Sequence, residues 1–293
     1  MEDSKNLYAL LASGFKDFFK DVWSVVCRIF YNLTHSSDGS IHISFTFIVL
    51  ILIFCGIITF FVLNLIRHSN FKKQNKIILN EFAKIEEEIK NLPGKDEDLT
   101  QKVQLNFLLD KCIYLGVKID RHTNRPNNSK QVSDLVYKMC LLMNKDYVTT
   151  AIYFCASLVY DIGFLSLPKN LFYVDILSSA DKELLKEHVN IEEDKFDFVP
   201  SAYIKIFLAA AREHHEKINA SGYPKGLDGK NISEIARLIT IAETYVSLTS
   251  VRHYHRLYTK KAAFKILKSN PTLYDENLVD IFKSLILTSK NTF

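Results

Sequence analysis

Apolar side chains at Leu7, Leu11, Phe15, Phe18, Val22, Val25 and Ile29 recur every three or four positions, with Lys16, Asp17, Lys20 and Asp21 between them. That spacing predicts an amphipathic helix within an N-terminal segment, residues 1–42. Such a helix lies in a membrane interface or packs on a partner helix. The late charge and the lack of a small-residue cleavage site speak against a signal peptide. Residues 43–66 are then almost wholly apolar and free of charge. At about 1.5 Å per residue, roughly 24 helical residues span about 36 Å, enough for a hydrocarbon core of about 30 Å. This stretch predicts one transmembrane helix. Arg67, Lys72, Lys73 and Lys76 follow at once, whereas residues 35–42 hold no Lys or Arg, so the C-terminal part is expected in the cytoplasm.

Residues 67–95 read as a helical stalk. Phe71, Ile78, Phe82, Ile85 and Ile89 recur in sevens, fours and threes. Such a seam would pair two copies as a short parallel coiled coil, or else pack the helix on its own domain. Asn91-Leu92-Pro93-Gly94 ends it, and 95–98 is a charged linker. From residue 96 onward helical periodicity is continuous, over 103–115, 132–143, 148–160, 180–188, 202–217, 232–248, 259–268 and 276–287. No alternating strand pattern interrupts it. The expectation is an all-α helical bundle over 96–293.

Charge changes little. The net charge of +4 comes from interspersed Lys and acidic residues, which argues against a nucleic-acid-binding stripe. Cys27, Cys55, Cys112, Cys140 and Cys155 are odd in number, lack CxxC spacing and sit in apolar surroundings. They fit buried free thiols in a reducing compartment.

Candidate chemistry gathers at His214-His215-Glu216, followed by Ser221-Gly222-Tyr223-Pro224-Lys225-Gly226-Leu227-Asp228-Gly229, with Glu243 in the next apolar helix. Neutral imidazoles and carboxylates ligate divalent metals. The glycines and proline are turn residues that fold one helix back beside the other. Adjacent helical residues point about 100° apart, so the two rings need a bend or a second metal to share a target. Asp161 closes an apolar helix just before Gly163. The helix dipole disfavours an anion there, so the carboxylate calls for a metal or a basic partner.

The string from His214 to Ile232 resembles the signature of the HD-GYP family, bacterial metal-dependent phosphodiesterases that hydrolyse cyclic di-GMP. The resemblance covers roughly residues 120–282 and implies an all-α bundle in the cytoplasm below a bacterial inner membrane. It implies metal ligands at Asp161, His188, His214, His215 and Glu243, the last standing where the family has Asp. It also implies substrate contacts at Tyr223, Lys225 and Arg252. Three positions depart from the pattern. Tyr160 stands where the family's defining His precedes Asp161, Asn128 aligns with an upstream His, and Phe164 replaces a Lys. His122 lies near the Asn128 position, and His255 stands in place of a basic residue.

An amide oxygen is a weak ligand, and a phenol of pKa about 10 is protonated at neutral pH, although iron accepts phenolates. The resemblance therefore implies one divalent metal (Fe, Mn or Zn) rather than two, or none. Three functions follow as expectations. The first is an impaired member that senses cyclic di-GMP or a related nucleotide, or docks a signalling protein through its 221–229 loop. The second is an active phosphodiesterase with an altered centre, and the third a scaffold that binds no nucleotide.

Overall fold

The computed structural model describes residues 45–91, 99–174, 176–250 and 257–288, together with 20, 21, 24, 25, 27, 28 and 31. Apart from those seven positions, the N-terminal amphipathic segment lies outside the described residues, as do the 95–98 linker, Arg252 and His255. The described chain is all-α: α1 Phe45–Lys90, α2 Leu99–His122, α3 Asn128–Leu142, α4 Tyr147–Val159, α5 Ser179–Lys186, α6 Ile204–Glu213, α7 Glu234–Thr249, α8 Lys260–Lys268 and α9 Glu276–Thr288. It divides into two compact units, Met1–Gln74 and Asn75–Phe293.

In the first unit the apolar part of α1 leaves its side chains uncovered. Over residues 51–66 all but Phe54 are exposed, and an 18-residue window of this helix has mean hydropathy 2.0 with none of it buried. Tyr147–Ser166 is also apolar, at 1.6, but 78% of it is buried inside the second unit. Composition alone does not separate these two stretches, and burial does: α4 is a core helix, apolar on every side because it is surrounded.

The second unit opens with the last turns of α1. Phe82, Ile85 and Ile89 are only 3%, 5% and 2% exposed, within the same core as α3 and α4. These three residues of the seam pack on their own domain, whereas Phe71 at its start is exposed. Tyr147 fixes the end of α1 by donating to the Ile89 carbonyl at 2.7 Å.

Around α4 pack α2, α3 and α6, while α7 lies on α3 and α6. Their apposed faces supply Val132, Val136 and Met139 from α3, and Ile152, Phe154, Cys155 and Leu158 from α4. Phe207 and Ala210 of α6 and Leu238, Ile239 and Ala242 of α7 complete the centre. Asp146 caps α4 by accepting from the Thr149 N–H at 3.0 Å, and Ser233 caps α7 by accepting from Ala236. These caps satisfy amide donors that a helix start leaves orphaned. They fix where α4 and α7 begin, and hence where the side chains near their ends fall.

Candidate metal centre

Helix α4 stops at Val159, and the chain tightens into a 3₁₀ turn over Ile162–Ser166, with the Phe164 N–H bonded to the Asp161 carbonyl at 3.0 Å. The turn sits directly on a second short 3₁₀ turn, Glu187–Val189. A Cβ on Gly163 would collide with the His188 carbonyl group, so only glycine allows that approach. Asp161 and His188 thereby become neighbours.

The histidine pair ends α6. The 202–217 helix expected from periodicity is shorter, stopping at Glu213, so His214 is its terminal cap and His215 lies beyond it. That supplies the bend that two adjacent rings need to share a target. Thr240 of α7 donates to the His214 carbonyl at 2.5 Å, and Glu213 accepts the Ser233 N–H at 2.9 Å, holding this end of α6 against α7.

Ligand nitrogens of His188, His214 and His215 all lie within 4.8 Å of one another. His188 Nδ1 lies 2.6 Å from the Leu185 carbonyl oxygen, and His214 Nδ1 lies 3.0 Å from that of Ala210. A carbonyl accepts only, so each Nδ1 carries the proton and each Nε2 presents a lone pair. The two Nε2 atoms are 3.2 Å apart, and Asp161 Oδ1 is 3.6 Å from both. That Oδ1 is buried and has no hydrogen-bond partner. Three acceptors thus converge with no donor among them. Two nitrogens about 2.0–2.1 Å from a tetrahedral zinc stand about 3.3 Å apart. The observed spacing fits a divalent cation. Burial drives the His188 imidazole down to about 4 and His215 well below its ordinary value, so both stay neutral, as ligands must.

The other side of Asp161 is filled by protein. Asn128 Nδ2 donates to the Tyr160 hydroxyl at 3.0 Å, and both residues are buried. Burial, with Asp161 and Glu243 nearby, raises the Tyr160 phenol well above its usual range. Its ring stands edge-on to His214 at 4.9 Å. Arg125, which the sequence reading passed over, places a guanidinium nitrogen 2.6 Å from Asp161 Oδ2. Burial alone would raise the Asp161 carboxyl, but the Arg125 guanidinium beside it outweighs that and holds the group well below the carboxylate range. Arg125 also lies 4.9 Å over the Phe164 ring, which stacks on His188 at 4.0 Å. No local pattern marks Arg125, since it sits in the turn between α2 and α3, and only tertiary folding brings it to Asp161.

Glu243, expected to face the core, turns a side chain only 14% exposed into the protein. Its Oε1 lies 3.9 Å from Arg125, and it is not among the clustered ligand atoms. His122 is likewise elsewhere, with its Nε2 at 3.0 Å from the Leu167 carbonyl.

In the loop, Tyr223 stacks on His215 at 4.7 Å, which brings it to the centre. Lys225 is exposed and contributes its backbone N–H to Glu216 Oε1 at 2.7 Å, while Leu227 N–H donates to Oε2 at 2.9 Å. Glu216 is therefore the organiser of the loop, a role visible only as the third residue of the His-His-Glu string. A Cβ on Gly222 would strike the backbone of His215 and Glu216, which explains a glycine there.

A family model described as HD domain matches residues 118–278. A cyclic di-GMP phosphodiesterase response regulator of Xanthomonas campestris is 29% identical over 127 residues, 43% of this chain and 34% of the relative. A cyclic di-GMP phosphodiesterase of Thermotoga maritima is 28% identical over 184 residues, 62% of this chain and 47% of the relative. The 3'3'-cGAMP-specific phosphodiesterase 1 of Vibrio cholerae is 26% identical over 145 residues, 48% of this chain and 32% of the relative. The chain spans less than half the length of each of these relatives. With the matched segment running from α2 into α9 and enclosing the whole centre, the chain belongs to the HD-domain family.

Proposed function

We propose that this chain is a membrane-anchored HD-domain protein that binds one divalent metal and a cyclic dinucleotide but turns the nucleotide over poorly, acting as a sensor or as a docking module through its 221–229 loop. One observation carries the reading. The two positions where the resemblance calls for imidazoles hold an amide and a phenol that satisfy each other, at 3.0 Å. His188 and His214 through Nε2, His215 through a ring nitrogen and Asp161 through Oδ1 would hold Fe, Mn or Zn. Such a metal supplies Lewis acidity and a water of lowered pKa. Tyr223, stacked on His215, offers an aromatic face at the rim, and Glu216 keeps the loop closed beneath it. Lys225 and Arg252 would add positive charge for phosphate.

The nucleotide class is drawn from the relatives, which act on cyclic di-GMP or 3'3'-cGAMP. The uncovered apolar stretch of α1 supports anchoring in a bacterial inner membrane, and the basic residues after it support a cytoplasmic bundle. Persistence in the membrane fraction after an alkaline wash checks the anchor, and release by that wash would remove it.

A second reading, an active phosphodiesterase with a reduced centre, is favoured by the intact histidine cluster. The detergent-solubilised full chain, loaded in turn with Fe²⁺, Mn²⁺ and Zn²⁺, separates the two. Equilibrium dialysis with labelled cyclic di-GMP and 3'3'-cGAMP should show retention with little product. Robust hydrolysis that His214→Ala abolishes would carry the second reading instead, and neither retention nor turnover would leave a scaffold.

A further inference from the structure

We infer that the Arg125 guanidinium occupies the place a second metal would need, and so fixes this centre at one metal ion; the inference rests on reading the histidine cluster as a metal site. A carboxylate shared by two metals offers one oxygen to each. Asp161 divides its oxygens differently. Oδ1 faces the two imidazoles at 3.6 Å with no partner, whereas Oδ2 is bonded to Arg125 at 2.6 Å. The second oxygen is thus already taken by a fixed cation.

Arg125 is itself built in. Its Nε donates to Thr123 Oγ1 at 3.1 Å, its backbone N–H to the Asp120 carbonyl at 2.9 Å, and its side chain is 11% exposed. Glu243, the remaining carboxylate on that side, also lies toward the guanidinium, at 3.9 Å. A divalent ion placed beside it would meet like charge at short range, in a site with little water to screen it. The neutral donors there, Asn128 and Tyr160, are engaged with each other. Phe164 completes the substitution. Its ring lies under the guanidinium at 4.9 Å, a face that stabilises a partly desolvated cation. Arg125 acts through Asp161 and is a positioning residue.

The test counts metal in the detergent-solubilised full chain, with Mn²⁺ alone as probe and elemental analysis after desalting. The native chain should hold one ion. Asn128→His with Tyr160→His restores imidazoles but keeps Arg125, and should still hold one. Adding Arg125→Ala, or Arg125→Gln, which keeps a side chain over Phe164, should raise the count to two in whichever variant retains the native helical circular dichroism. Two ions in the double variant, or one in both folded triple variants, would overturn the inference while leaving the single-metal reading intact. No bound Mn²⁺ in the native chain would overturn both.

Discussion

The two sides of Asp161 are built from opposite kinds of chemistry. On one side His188 and His214 direct bare Nε2 atoms at each other and at a carboxylate oxygen, with His215 beside them. On the other, a guanidinium, an amide and a phenol pair with what surrounds them. The first set is incomplete as protein, because buried acceptors facing acceptors repel until a cation enters. The second is complete and gains nothing from one. The two sets therefore differ in more than identity: one leaves buried acceptors unanswered, while the other is closed by a cation at position 125 lying over an aromatic at position 164.

The largest expected effect breaks the incomplete side. His214→Ala removes a direct ligand and should weaken metal binding on the order of 10³-fold, beyond the roughly 10–100-fold lost with an outer partner. Competition with a chromophoric chelator measures it. Unchanged affinity would mean that the cluster is not the metal site.

Next comes the scaffold that joins Asp161 to His188. Gly163→Ala pushes a Cβ into the His188 carbonyl and should cost about 3 kcal/mol, read from a shifted denaturation midpoint with unchanged slope. Metal affinity should fall with it, because the two turns must separate.

Asn128→Ala tests the complete side. It takes a buried donor from the Tyr160 hydroxyl and should destabilise the fold by about 1–3 kcal/mol while leaving metal content unchanged. A loss of bound metal would blur the distinction between the two sides.

The smallest effect lies just behind Arg125. Burial lifts the Asp120 carboxyl to about 6, against the Ser129 N–H and hydroxyl that donate to it at 3.0 and 2.8 Å. An acid whose folded pKa is raised binds more protons in the folded state between about pH 4 and 6. Stability should then fall as pH rises through that window, by less than about 1.4 kcal/mol per unit, and level off above it. Asp120→Asn should remove this part of the slope, isolated as the difference between two urea-denaturation series.

How much of this was legible beforehand follows from the range of each interaction. Periodicities of three and four gave most helices of the bundle to within a few residues, since they depend only on neighbours along the chain, but they ended α2 at Leu115 where it runs on to His122. They misplaced the end of α6, where tertiary bonds from Thr240 and Ser233 decide that the helix stops at Glu213. They left the 71–89 seam open between two partners, and tertiary packing placed Phe82, Ile85 and Ile89 of it in the core of their own domain.

By itself the sequence determined an all-α domain after a long apolar stretch, a carboxylate at a helix end that needed a cation, and a glycine loop after two histidines. These are local properties of spacing, charge and backbone freedom. Tertiary structure alone decided what faces Asp161 on each side. It brought Arg125 to one oxygen from 36 positions away, set two imidazole lone pairs before the other, and moved Glu243 out of the cluster toward Arg125. Such pairings depend on where separate helices end in space, and no pattern along the chain encodes that distance.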